Sequence, residues 1–176
     1  MKRFSILIFA LAIALTASLG TSAKTKRTTS KRSVSTQSVK RAYIKKVNSL
    51  AGYEYDGYFL TDITGDGIPE LWVKYGTCEA DYMLDVYTYT SSGLKRILRT
   101  GAGHTGFYGY YNGKYVIAQM AHMGYEVLSR ITYSGGKLHE KKYYESPGEV
   151  SDYTQLKEPY FEYISFRNPS AINYSF

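Results

Sequence analysis

YEVLSRITYSGGKLHEKKYY, residues 125–144, reads as two β-strands joined by a tight turn. Tyr125, Val127, Ser129, Ile131 and Tyr133 share one face, the period-two pattern of a strand. Gly135-Gly136 follows with two residues that tolerate the positive φ a two-residue hairpin demands. Lys137–Tyr144 then runs back as the partner. The same grammar extends toward the N-terminus. Tyr115–His122 and Phe107–Tyr111 flank Asn112-Gly113, and Leu94–Arg99 and Met83–Tyr89 flank Ser92-Gly93. Leu71–Tyr75, with Leu71, Val73 and Tyr75 on one face, and Tyr58–Thr61 complete the series. Consecutive short strands with short turns form an antiparallel meander, here of about eight strands. Pro147-Gly148 ends the run, and Tyr160–Phe166 is a candidate final strand.

Before the strands the period changes. Val39, Tyr43, Val47 and Leu50 fall on one face of a helix spanning about Thr36 to Ala51, while Lys40, Arg41, Lys45 and Lys46 mostly take the others. Thr36 or Ser38 can cap its start, and Gly52 sits where a stop belongs. Such a basic amphipathic helix packs on the adjacent domain or lies on a membrane surface. The fold class that follows is α+β: one N-terminal amphipathic helix packed on the meander. The meander is partly propeller-blade-like, because Thr88–Leu94 is echoed by Thr132–Leu138 at an offset of 44 residues. A closed propeller needs about four blades or more, and residues 53–144 hold roughly two.

The chain has 176 residues, 44% of them hydrophobic, with one Cys and twenty Tyr. That suits one domain with a real core and excludes a disulfide-stapled scaffold. Met1 to Ala23 reads as a signal peptide: Lys2 and Arg3, the apolar run Phe4–Leu19, then Thr21-Ser22-Ala23 at the cleavage position. The run is shorter than a membrane span, so no integral membrane segment is expected after its removal. Residues 24–35 read as a basic disordered linker and 36–176 as a single globular domain. The net charge of +7 misleads. Residues 24–46 carry nine Lys or Arg and no acid, whereas residues 47–176 hold eleven basic groups against all fifteen acidic ones. A nucleic-acid binder needs its basic face on the fold itself, so no nucleic-acid partner is expected. The leader is either a solvated linker or a weak contact to anionic envelope polymers.

Asp62-Ile63-Thr64-Gly65-Asp66-Gly67-Ile68-Pro69-Glu70-Leu71 is the stretch that carries chemistry. Calcium takes six to eight oxygen ligands, and a tight loop supplies them from alternate positions. Those positions are Asp62, Thr64, Asp66, the Ile68 carbonyl and Glu70, with Gly67 allowing the sharp turn. The stretch resembles the D-x-[DN]-G-D-G-x-x-E-L calcium loops of EF-hand-like and FG-GAP-type repeats. More broadly, Ala42–Tyr75 resembles the opening of small secreted bacterial domains of unknown function, which run helix, D-x-x-G-D-G-x-P-E-L loop, then Tyr-rich meander. Asp85–Tyr89 and Gly93-Leu94 match the later part of that pattern loosely. The resemblance implies a calcium-stabilised exported β domain and no activity. Two departures weaken it: position 12 is Val73 instead of a bidentate Glu, and Thr64 stands where Asp or Asn is usual. Affinity would be weak, Kd on the order of 10⁻⁴–10⁻³ M. The alternative is a Gly-rich turn with solvated acids.

Other constellations carry less. Cys78, His104 and His122 show no nucleophile–base spacing, and His104, His122 and His139 no zinc signature. Glu70, Glu79, Asp81 and Asp85 could form an acid–base pair only at a separation that sequence does not show. The residues therefore assign no catalytic group. The glycine-rich Gly101–Gly106 loop carrying His104 is where a reactive group would sit if there is one. The tyrosines of the second half are either core and cross-strand partners or an exposed recognition face for a protein or glycan. The expected role is an exported binding or interaction domain, secreted or in the periplasm or cell envelope. The alternative is an extracellular or envelope hydrolase with a site near the His104 loop.

Overall fold

The computed structural model describes residues 34–109, 114–146 and 160–176. The signal peptide, nearly all of the basic linker, Asn112-Gly113 and Pro147-Gly148 lie outside them. The described residues belong to one compact unit, Arg32–Phe176. The elements run α1 (Thr36–Asn48), β1 (Gly57–Thr61), β2 (Glu70–Tyr75), β3 (Met83–Thr90), β4 (Gly93–Gly101), β5 (Thr105–Gly109), β6 (Val116–His122), β7 (Tyr125–Ser134), β8 (Lys137–Glu145) and β9 (Ile164–Ser165). A 3-10 turn, Glu79–Asp81, separates β2 from β3, and a 3-10 helix, Pro169–Tyr174, ends the chain. No helix among the described residues is long and apolar enough to cross a membrane.

The strands form two antiparallel sheets, ordered β4-β3-β2-β1-β9 and β5-β6-β7-β8. This is the expected α+β arrangement, split into two meanders with no closed barrel. The echoed hairpins are equivalent: Thr90 pairs with Gly93 and Ser134 with Lys137, and each hairpin carries one register shift. Gly135 and Gly136 both take positive φ, at 57° and 79°, as a two-residue hairpin requires.

β2 is buried on both faces, and its Leu71, Trp72 and Val73 alternate between them. Leu71 and Val73 face α1, meeting Val39, Tyr43, Val47 and Leu50, with Phe166 and Ile172 closing that layer. Trp72 points the other way, into a core with Phe59, Leu84, Val86, Phe107, Val116, Ala118, Ile131 and Leu138 from both sheets. Helix, sheet and sheet therefore stack in three layers. The helix begins after Ser35, which makes no side-chain cap bond, and stops at Asn48, earlier than Gly52 suggests. The Ser49 amide already bonds back to Lys45 and Lys46, which closes the last turn. Its cations are partly used within the fold: Lys40 donates to the Asn173 carbonyl at 2.8 Å, and Lys46 lies 5.1 Å from the Tyr87 ring centre.

Tyr160–Phe166 makes less strand than expected because it changes sheets. Tyr160 bridges Tyr108 and the Phe161 amide bonds Phe107 on the second sheet; Ile164 and Ser165 then pair with β1 on the first. Phe161 stacks on Phe59 at 4.4 Å on the way. Met123-Gly124 forms the turn between β6 and β7, in the gap expected between Tyr115–His122 and Tyr125–Tyr133, with Met123 at a φ of 48° that Met rarely takes.

On the helix side of the first sheet, Asp85 is fully buried and accepts from Arg99 Nε at 2.7 Å and Nη2 at 2.8 Å. The Tyr87 and Tyr75 hydroxyls donate to it at 3.0 and 3.2 Å. Burial pushes this carboxyl up, but the Arg99 and Tyr87 bonds and the charges of Arg99 and Arg96 outweigh it and hold the group below its ordinary value. A depressed carboxyl contributes stability above its unfolded pKa of about 3.9 and loses it as pH falls through the folded value. Arg99→Met is expected to lower urea-unfolding stability at pH 7, because it leaves the buried Asp85 carboxylate without its guanidinium partner. The gap to the parent should narrow as pH falls below about 4; a constant gap would show that the Arg99 stem, not the ion pair, does the stabilising.

Candidate functional site

The Asp62–Glu70 loop joins β1 to β2. Asp62 Oδ1 accepts from the Gly65 amide at 2.8 Å and the Asp66 amide at 3.3 Å, and Oδ2 from the Gly67 amide at 2.8 Å. One side chain thereby pulls three successive amides around itself. The bend needs left-handed backbone at Gly65 and Gly67, whose φ values are 75° and 83°. Asp66 Oδ1 accepts from the Ile68 amide at 2.9 Å. Thr64 places its hydroxyl between Asp62 and Glu70, 3.4 and 3.3 Å from their oxygens.

Glu70 closes the loop from the sheet side and is fully buried. Its Oε2 accepts from the Ile63 and Thr64 amides at 3.1 and 3.3 Å, and its Oε1 from the Thr88 hydroxyl at 3.0 Å. Among the described residues no Lys, Arg or His forms an ion pair with it. Burial pushes its pKa up to about 7, against the lowering by those hydrogen bonds. The helix braces the same loop. Tyr43 donates to the Pro69 carbonyl at 3.0 Å, and burial with the Glu70 and Asp66 charges pushes its phenol up, so it stays a donor. Tyr43 and Thr88 were invisible as loop anchors in the sequence, because each reaches the loop only through the tertiary fold.

Asp62, Thr64, Asp66, Ile68 and Glu70 thus lie on one loop, and the atoms they can offer a metal are all oxygens. As placed, their acids do not close on a point: among the described residues no three His, Cys, Asp or Glu side chains group to hold a metal. The other acids are dispersed. Asp85 faces the helix, whereas Glu70, level with Trp72, faces between the sheets. Asp81 caps its own turn, accepting from the Thr77 and Cys78 amides at 2.8 and 3.0 Å. Cys78 is exposed. His139 sits 3.2 Å from the Ser134 carbonyl, away from the other two histidines, whose rings stack at 3.8 Å.

The tyrosines divide. Tyr43, Tyr58, Tyr82 and Tyr87 are core, while Tyr125, Tyr133, Tyr143, Tyr144 and Tyr160 are exposed. The exposed ones form no single flat face: Tyr144 pairs with Leu128, one residue out of step with the side of β7 that carries Tyr125 and Tyr133.

A cleft of about 320 Å³ opens beside His104, with Asp56, Lys74, Glu79, Tyr82 and Tyr160 in its wall. Sequence reasoning named His104 and Glu79 but missed Asp56 and Lys74, which carry no local motif.

Glu70→Ala leaves the Ile63 and Thr64 amides and the Thr88 hydroxyl without their acceptor. It is expected to lower unfolding stability in EDTA by about 2–4 kcal/mol. A loss below about 1 kcal/mol in a urea titration would mean that water replaces the carboxylate at little cost.

No protein-family model, curated protein or solved structure matches this chain.

Proposed function

We propose that this protein is an exported binding domain whose Asp62–Glu70 loop holds one structural calcium ion. The observation that carries the metal is Glu70: a fully buried carboxylate at the end of an oxygen-lined loop, with no protein cation paired to it among the described residues. A buried charge without a partner is costly, and a hard cation offsets that cost. Asp62, Thr64, Asp66, the Ile68 carbonyl and Glu70 would hold it. Asp62 and Asp66 are reached by solvent, so their carboxylates can turn onto an ion without disturbing the core. The ion would tie the β1 end to the β2 start. Export rests on Met1–Ala23, and the partner on the exposed aromatic side chains, which suit a protein or glycan.

A hydrolase with its site at the His104 loop is the second reading. The cleft beside His104, with Glu79 and Asp56 in its wall, favours it. It requires turnover of an extracellular polymer.

Thermal unfolding in EDTA and in millimolar calcium tests the metal. Calcium at roughly ten times Kd should add about 1–2 kcal/mol of stability. Asp66→Ala should abolish the gain, and magnesium, which prefers a smaller and more rigid octahedral site, should give less. No gain, or an equal gain in Asp66→Ala, would leave the loop a plain turn.

A further inference from the structure

The cleft beside His104 is assembled from five separate pieces of chain. Asp56 precedes β1, Lys74 lies in β2, Glu79 and Tyr82 follow it, His104 links β4 to β5, and Tyr160 comes from beyond β8. The pieces meet because two glycines permit it. A Cβ on Gly103 would stand 2.7 Å from the Ala80 carbonyl oxygen, and one on Gly106 would stand 3.1 Å from the Tyr160 ring.

Two features set this place apart from an incidental groove. The first is backbone strain. Asp56 and His104 hold φ at 62° and 51°, and only Met123 joins them as a non-glycine with positive φ among the described residues. Such left-handed backbone at residues other than glycine gathers at functional sites. The second is a buried lysine. Lys74 is 6% exposed, yet its ammonium lies 3.0 Å from Asp56 Oδ2, 2.9 Å from the Thr105 carbonyl and 4.5 Å from the Tyr82 ring centre. An apolar residue would pack here without that desolvation cost.

Two of the wall's acids have basic neighbours: Asp56 Oδ2 lies 3.0 Å from the Lys74 ammonium and Glu79 Oε1 lies 3.5 Å from His104 Nδ1. The cleft offers carboxylate acceptors beside ammonium and imidazole donors, next to the half-exposed Tyr160 ring. Hydroxyl groups both donate and accept, so they satisfy such a mixed wall. A ring that carries hydroxyls on its rim and C–H bonds on its face also suits the electron-rich face of Tyr160. The volume sits at the lower end for ligand pockets, which begin at about 300 Å³.

We propose that this cleft binds a neutral saccharide, with Asp56 and Glu79 accepting from its hydroxyls and the Tyr160 ring lying against its C–H face. The proposal rests on the reading of this chain as a binding domain, and not on the calcium loop.

Amide NMR titrations of the purified protein with neutral trisaccharides of glucose, mannose and N-acetylglucosamine test it. At least one should move the Gly103 and Gly106 amides saturably, with and without EDTA. Tyr160→Ala should weaken that sugar by about fivefold to tenfold. His104→Gly should weaken it as well without lowering the melting temperature, because glycine accepts the backbone angle that strains His104. The proposal is overturned if no trisaccharide moves these amides. It is also overturned if both variants bind like the parent, or if sulfate or free lysine moves the same amides more strongly. Appearance of shorter sugars during the titration would uphold the saccharide site while replacing the binding-domain reading with the hydrolase.

Discussion

The structure depends on β2 having two dry faces. Leu71 and Val73 must be covered on one side and Trp72 on the other, and no two-layer arrangement does both. The amphipathic helix covers the first side and the second sheet covers the other. Phe59, Trp72 and Phe107 meet at the centre of the second interface. Each fully buried apolar side chain contributes about 1.5–3 kcal/mol, so these aromatic residues and the aliphatic ones around them together hold the layers.

The polar groups obey the same geometry. A strand buried on both faces leaves no neutral place for a charge, and each charge beside it is answered locally. Asp85 on the helix side is answered by Arg99 and two tyrosine hydroxyls. Lys74 on the other side is answered by Asp56 and a carbonyl. Glu70, at the strand's start, receives hydrogen bonds but no ion pair among the described residues. The calcium ion proposed for the loop before it would answer that charge. The cleft arises from the same layering: the chain passes from one sheet to the other at Ala102–His104 and returns along Tyr160–Ser165, and the wall forms where the two crossings meet β2.

Much of the architecture is legible in the sequence alone. The helix face Val39, Tyr43 and Val47 is buried as its spacing predicts. The strands fall where alternation and turn residues place them, because both signals are local. Gly135-Gly136 marks a turn by its own conformational freedom. Two things were not legible. The last segment pairs with two sheets in succession, and no periodicity describes that. Lys74, in the middle of an apolar strand, reads only as an interruption until Asp56 is seen beside it.

The sequence by itself determined the class of fold, the layer-forming faces and the oxygen-rich loop, because each depends on residues within about one element of one another. It also placed nine Lys or Arg and no acid within residues 24–46, ahead of the acidic stretch 47–176. Tertiary structure alone decided that the meander divides into two sheets, that Glu70 is buried, that the exposed tyrosines share no single face, and that Asp56, Lys74, Glu79, His104 and Tyr160 line one cleft. The physical reason is distance along the chain. Asp56 and Tyr160 come together only after both sheets have packed, and the energy that packs them resides in the core residues, not in the cleft residues themselves.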